Sequence, residues 1–317
     1  MKSRFRIEES MSLNIMMPAR GLPDLAQALS PEDLRRAHPL WAADVDALGP
    51  WRLEDAQGGV LAELGPVWRP AGNEPEAAAP VLVLCGSCAS TMDVARRLVE
   101  RGALGPWGSV LTPAQHSGRG QLRRAWASHP GNVLATLVCP LEDGRWNDLR
   151  PLVMGYLFAE AMSGLGEAVQ VKWPNDLLCN DRKVAGILVE ERVGCVLAGI
   201  GVNLASAPGP EELRPDHKVV AGKFRPSNCA LGPLGLWRAL VNRLERSYAT
   251  LLETFSPGEF LTIFRSRLAW KGRRVLVQEG AGVQYEAIVR GISEEGGLVL
   301  DHAGREVVLL AGDVIPV

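Results

Sequence analysis

Val171-Lys172-Trp173-Pro174-Asn175-Asp176-Leu177-Leu178 leads, after Cys179-Asn180, into Asp181-Arg182-Lys183-Val184-Ala185-Gly186-Ile187-Leu188-Val189-Glu190. Val169, Val171 and Trp173 alternate with Gln170 and Lys172, the two-residue period of a half-buried strand. Pro174 ends regular pairing. Asn180-Asp181 signals a turn, and Val184 to Val189 reads as a returning, largely buried strand. A strand, a break and a return can bring Lys172, Asp176 and Lys183 together. Cations and a carboxylate on a rigid support suit an anionic substrate and a proton acceptor. Taken singly, each charge reads as a solvated hairpin residue. The string as a whole carries the functional reading.

A chain of 317 residues has room for about two domains. Its 47% hydrophobic and 22% charged content is that of an ordinary globular protein. A net charge of −2 argues against a general nucleic-acid-binding surface, and DNA is not an expected partner. No apolar run approaches the roughly 20 residues of a membrane span, so no membrane association is expected. Met1 to Met17 is mixed in charge and reads as no secretion signal, with Met11 an alternative start. Cys85, Cys88, Cys139, Cys179, Cys195 and Cys229 are scattered through apolar segments, which predicts reduced thiols and a cytoplasmic location. Cys85-Gly86-Ser87-Cys88 is a C-x-x-C, but no second pair and no nearby histidine completes a zinc site. It reads as small buried residues at a strand end. Histidines 38, 116, 129, 217 and 302 are dispersed, so no protein-built metal site is implied.

The second informative stretch is Gln115-His116-Ser117-Gly118-Arg119-Gly120-Gln121-Leu122-Arg123-Arg124-Ala125-Trp126. Its glycines let backbone approach a ligand. Its arginines offer planar donors to phosphate or carboxylate. It is not a P-loop, and alone it reads equally well as a basic surface loop.

Together the two stretches resemble a known family. The first is similar to the Lys-Trp-Pro-Asn-Asp … Arg-Lys-(apolar)-Ala-Gly-Ile-Leu-(apolar)-Glu signature of bacterial biotin protein ligases. The second resembles their Gly-Arg-Gly-Arg-Arg-Gly-Arg-x-Trp loop at Gly118, Arg119, Gly120, Arg124 and Trp126. Gln121, Leu122 and Arg123 depart from it, and Gln121 replaces an arginine that helps hold the adenylate. Ser90-Thr91-Met92 stands where the family has Ser-Thr-Asn. His129 to Val138 is similar to the family's Gly-Asn-Leu-Tyr-Leu-Ser segment, and Gly199-Ile200-Gly201-Val202-Asn203 to its Gly-Ile-Gly-(apolar)-Asn strand. The resemblance runs from about residue 81 to 317.

Three domains are expected. Residues 1–80 are an N-terminal extension with no evident winged helix. Leu22 to Leu29 and Pro31 to Leu48 are expected as short helices, the latter opened by Ser30-Pro31-Glu32-Asp33. Trp51 to Val67 reads as a strand pair turning at Gly58-Gly59, and Ala71 to Pro80 as a linker. Residues 81–268 form the biotin- and ATP-binding catalytic domain. It begins with a strand at Val81 to Cys85 and a helix from Ser90 to Glu100, with Ser90 and Asp93 as a capping box. Leu152 to Leu165 and Leu234 to Thr254 read as helices, and Ala205 to Pro233 as a mobile loop. Residues 269–317 read as short strands with glycine turns, a small barrel. The fold the resemblance implies is α+β: a mixed or antiparallel sheet flanked by helices, class II synthetase-like, with an SH3-like C-terminal module.

The resemblance implies ATP-dependent formation of biotinyl-5′-adenylate and transfer to a lysine of a biotin carboxyl carrier protein of acetyl-CoA carboxylase type. It assigns catalysis to Arg119, Asp176 and Lys183. Biotin falls to Ser90, Thr91, Met92, Gln115, Arg119, Gly120, Gln121 and Lys183. The nucleotide falls to Arg119, Arg124, Trp126 and Asn175, with Mg²⁺ carried by the phosphates. Pairing into homodimers through a sheet edge is known among relatives. The competing readings are a lipoate-type ligase, a biotin sensor that represses transcription, and a degenerate homologue motivated by Met92 and Gln121.

Overall fold

The computed structural model describes residues 13–317 except 57, 58, 74, 75, 77, 122, 123, 141–143, 193, 213–218 and 281. Met11 and most of the mixed-charge start, Gly58 of the expected turn, Leu122, Arg123 and His217 lie outside the described residues.

β1 (Asn14–Pro18) is buried along its whole length. α1 (Pro31–Ala37) and α2 (Pro39–Leu48) follow, and the Ser30–Asp33 capping box forms as expected. β2 (Trp51–Asp55) pairs antiparallel with β3 (Pro66–Pro70), and β3 with β1. β1 then runs parallel to β4 (Val81–Leu84). The first 80 residues therefore add three strands to the edge of the main sheet. The stretch expected as a linker is tied in: Asn14 Nδ2 donates to the Glu76 and Ala79 carbonyls, and Asn73 Nδ2 to the Leu13 carbonyl.

Leu22 to Leu29 is not helical. Leu22 bridges Ala26, Gln27 N–H donates to the Ser87 carbonyl, and the Gln27 carbonyl accepts from Gly86 N–H. Pro23 removes a donor, and pairing with the Gly86–Cys88 loop replaces helical bonds.

The chain continues through α3 (Thr91–Glu100), β5 (Ser109–Leu111), β6 (Val133–Cys139), α4 (Arg150–Ser163), β7 (Gln170–Lys172), β8 (Asp176–Cys179), β9 (Arg182–Arg192) and β10 (Cys195–Val202). The ten strands order as β2-β3-β1-β4-β5-β6-β10-β9-β8-β7, antiparallel except where β4 meets β1 and β5. α5 (Pro233–Thr254) and α6 (Pro257–Phe264) complete this body, and α6, with its Ser256–Glu259 capping box, was not anticipated.

Strand alternation sorts the core into two layers. Ile15, Leu82, Leu84 and Ala198 face Trp41 of α2, Phe158 of α4 and Trp237 of α5. Met16, Val83 and Leu197 face Val94 and Leu98 of α3. The α3 side carries the site.

A second sheet holds β11 (Arg274–Glu279), β12 (Val283–Ile292), β13 (Leu298–His302), β14 (Arg305–Leu309) and β15 (Asp313–Pro316). It is antiparallel throughout, in the order β14-β13-β12-β11-β15. It meets the main sheet at the 172–176 hairpin, where Trp173 Nε1 donates to the Gly296 carbonyl.

Candidate active site

β8 and β9 are joined across Asn180-Asp181, both with positive φ. A two-residue loop of that kind matches the twist of a β-hairpin. The register sets Asp176 opposite Lys172 on β7. Lys183 Nζ lies 2.7 Å from Asp176 Oδ1, and Lys172 Nζ lies 3.4 Å from Oδ2. Lys172 also donates to Asp313 Oδ1 at the start of β15. Two lysines thus share two carboxylates, one from each sheet.

Burial opposes the charged form of Asp176, but Lys183 and Lys172 outweigh it and hold its carboxyl at about 2. Burial likewise opposes the Lys172 ammonium, and Asp176 and Asp313 reverse that and raise it above its ordinary value. Asp176 and Lys172 thus hold each other in their charged forms at neutral pH. Asn175 locks the adjacent backbone: its Nδ2 donates to the Ile187 carbonyl and its carbonyl accepts from Ile187 N–H.

The glycine-rich loop is a small hairpin, closed by Trp126 N–H to the Gly118 carbonyl and Gly120 N–H to the Arg124 carbonyl. The Trp126 indole lies over β9 and β10, where Gly186 and Gly201 leave room for it. A Cβ at Gly186 would stand 2.9 Å from the ring, and one at Gly201 would clash with it more severely. Lys183 Nζ sits 5.4 Å from the ring centroid, within cation–π range. Arg119 pairs with Asp93 at 2.9 Å, and Arg124 approaches Asp313 at 3.8 Å.

Gly199 and Gly201 on β10 and Asn203 just after it alternate onto one face, successive ones about 7 Å apart, and all three line a cavity. At Gly199 the Met92 side chain packs on the strand. Here lies a polar recess: Thr136 Oγ1 donates to Thr91 Oγ1, and Thr91 N–H and Oγ1 both reach Gln115 Oε1, at 2.8 and 3.2 Å. Ser90 caps α3 by accepting from Met92 N–H. The expected reciprocal cap from Asp93 does not form, because its carboxylate is taken by Arg96 and Arg119.

At the other end Asn203 is 2% exposed. Its Nδ2 donates to the Lys183 and Gly222 carbonyls, and its Oδ1 has no partner among the described residues. A buried acceptor left open in a cavity wall calls for a donor on a ligand.

The cavity has a volume of about 370 Å³. Its wall includes every site residue expected from the sequence: Ser90, Thr91, Met92, Gln115, Arg119, Gly120, Gln121, Arg124, Trp126, Asn175, Asp176 and Lys183. It also includes Asp313, Asn203 and Glu212, to which the sequence analysis assigned no role. For Asn203 a signal existed, since it ends the Gly-Ile-Gly-x-Asn strand. Asp313 and Glu212 had none. Cys85 and Cys88 are both buried. Among the described residues no group of three or more His, Cys, Asp or Glu side chains is placed to hold a metal ion. No helix among them is long and apolar enough to cross a membrane.

Residues 87–205 match the model of the biotin/lipoate A/B protein ligase family. The chain is 32% identical over 212 residues to a biotin–[acetyl-CoA-carboxylase] ligase of Paracoccus denitrificans, covering 63% of this chain and 86% of the relative. It is 29% identical over 222 residues to the enzyme of that name from Mycobacterium tuberculosis, covering 65% and 77%. The fold resembles that of a biotin protein ligase from Aquifex aeolicus in complex with biotin and ATP, with a TM-score of 0.57, 22% identity, and 74% and 97% of the two chains covered. A buried lysine–carboxylate hairpin, a glycine-rich arginine loop over it and this kinship agree, and the chain belongs to the biotin/lipoate A/B protein ligase family, among its biotin protein ligases.

Proposed function

We propose that the chain activates biotin with ATP and transfers it to a lysine of a biotin carboxyl carrier domain of acetyl-CoA carboxylase, acting in the cytoplasm. The observation that carries this reading is the single cavity joining a polar recess, a buried lysine–carboxylate cluster and an arginine-bearing loop.

In the first half-reaction a biotin carboxylate oxygen bonds to the α-phosphorus of ATP and the bond to pyrophosphate breaks. Two anions must meet, so fixed cations are needed along the path. Lys183 is already oriented by Asp176 and suits the biotin carboxylate. Arg119 and Arg124 at the rim suit the phosphates, Arg119 after leaving Asp93. The Gln115–Thr91 recess suits the ureido ring, and Trp126 and Asn175 the adenylate. Asn203 Oδ1 suits a donor on the nucleotide. Asp176 and Asp313 are occupied by lysines, so Mg²⁺ would be held by the phosphates of ATP and would supply further neutralisation there.

In the second half the neutral amine of the carrier lysine bonds to the acyl carbon of the mixed anhydride, the acyl carbon–oxygen bond breaks, AMP leaves, and the amine's proton passes to the departing phosphate or to water. A carboxyl held at about 2 is too weak a base to deprotonate an ammonium whose ordinary value is about 10.4. Asp176, with one oxygen on each lysine, orients Lys183.

The test is ATP–pyrophosphate exchange by the purified chain. Exchange with biotin and none with lipoate is expected. Exchange with lipoate alone, or with neither acid in a folded protein, would overturn the proposal.

A further inference from the structure

The segment 126–132 touches three parts of the site that the reaction needs together. Trp126 lies on the glycine floor between the ends of the cavity. Ser128 Oγ accepts from Gln115 Nε2 at 3.3 Å and reaches the Trp126 carbonyl at 3.5 Å. Gly118, the first glycine of the loop, rests on this bridge: a Cβ there would stand 2.8 Å from Ser128 Oγ and 3.2 Å from Gln115 Nε2. The polar recess is thus connected to the base of the loop through Ser128.

The same segment grips the opposite end. The His129 ring bonds Ser206 Oγ at 3.0 Å and Glu212 Oε1 at 2.7 Å. Asn132 Oδ1 accepts N–H bonds from Leu204, Ala205 and Ser206, and its amide donates to the Ser206 carbonyl. The turn so held carries Pro208 and Glu212 into the cavity wall, directly after Asn203. Ser128 and His129 are not in that wall, so their influence on ligands passes through Gln115, Trp126 and Glu212.

We propose that residues 126–132 form a coupling strap, with Ser128 and His129 as positioning residues, that makes biotin and the nucleotide tighten each other's binding. The proposal rests on the biotin ligase reading above. Biotin that fixes Gln115 also fixes Ser128 and the base of the loop. The second ligand then meets a strap already ordered and loses less conformational freedom on binding. Such coupling is reciprocal.

The experiment measures biotin affinity by calorimetry on the full chain, alone and with a saturating ATP analogue carrying a methylene between the α- and β-phosphorus. In the parent the analogue is expected to tighten biotin by at least about fivefold. In Ser128→Ala and in His129→Gln that ratio should fall below about twofold, with biotin affinity alone within about threefold of the parent. Ser128→Thr, which keeps the hydroxyl, should restore the ratio. A ratio unchanged in both variants, or no coupling in the parent, would overturn the strap. A parent that binds nucleotide but no biotin would instead overturn the ligase reading.

Discussion

The side chain of Lys172 is 3% exposed and that of Arg119 is 38% exposed, although both cations serve one cavity. The lysine belongs to a hairpin whose charges are locked between two sheets. The arginine belongs to a loop held by backbone ladder bonds and by ion pairs at the rim, Arg119 with Asp93 and Arg124 with Asp313. Charge that must be in place before the substrates arrive is built into the sheet, where no reorganisation is needed during the reaction. Under the proposed function, the groups that would meet the phosphates of ATP sit on the loop, where the Arg119 side chain is far more exposed. The same cavity thus divides its cations between a buried element and a more exposed one.

The largest way to break this contrast is Asp176→Asn. Removing one member of a buried ionic cluster costs about 3–5 kcal/mol. The folded carboxyl is held at about 2 against an ordinary 3.8, so its contribution is complete above the ordinary value and is lost as pH falls through about 2. Urea unfolding should show a deficit that is constant between about pH 5 and 8 and shrinks in strong acid. A midpoint equal to the parent's at neutral pH would mean that the hairpin charges are individually solvated. Lys183→Gln comes next. It leaves Asp176 paired with Lys172 and removes the cation assigned to the biotin carboxylate. Biotin-dependent pyrophosphate exchange should fall about 10²–10³-fold, the loss typical of one preorganised electrostatic group. Exchange within a factor of about three would remove Lys183 from the chemistry.

Asp313→Asn tests whether the second sheet completes the buried half. Lys172 would keep only the longer contact to Asp176, and a weakened partner for a buried charge costs about 1–3 kcal/mol. Thermal unfolding should shift down and exchange should weaken in the same variant. Loss of neither would separate β15 from the site.

How the site could be read from sequence follows from the same division. The hairpin was legible because alternation, a proline break, an Asn-Asp turn and the charges lie in one continuous string. The loop was legible from its glycines and arginines, in the resemblance. Asp313 was not, because it joins Lys172 from 141 positions away, and nothing local distinguishes Gly312-Asp313 from a surface turn. β1 was missed for a related reason: its parallel pairing with β4 spans 67 residues at Asn14↔Val81, and five residues carry little pattern. Asp93 shows the opposite failure. The local rule made it a helix cap, and a distant arginine outbid the backbone for its carboxylate.

Gln121 sharpens the comparison from the more exposed side. It lines the cavity beside Gly120, where the resemblance implies an arginine that helps hold the adenylate. A neutral amide offers the phosphate fewer and weaker donors than a guanidinium. If retention depends on the loop, Gln121→Arg should slow escape of biotinyl-adenylate by about tenfold, equivalent to about 1.4 kcal/mol, with stability unchanged because the residue is not in the core. The measurement is release of labelled adenylate from the parent and the variant after excess nucleotide is removed. Equal rates would mean that the buried lysine cluster, and not the loop, holds the intermediate.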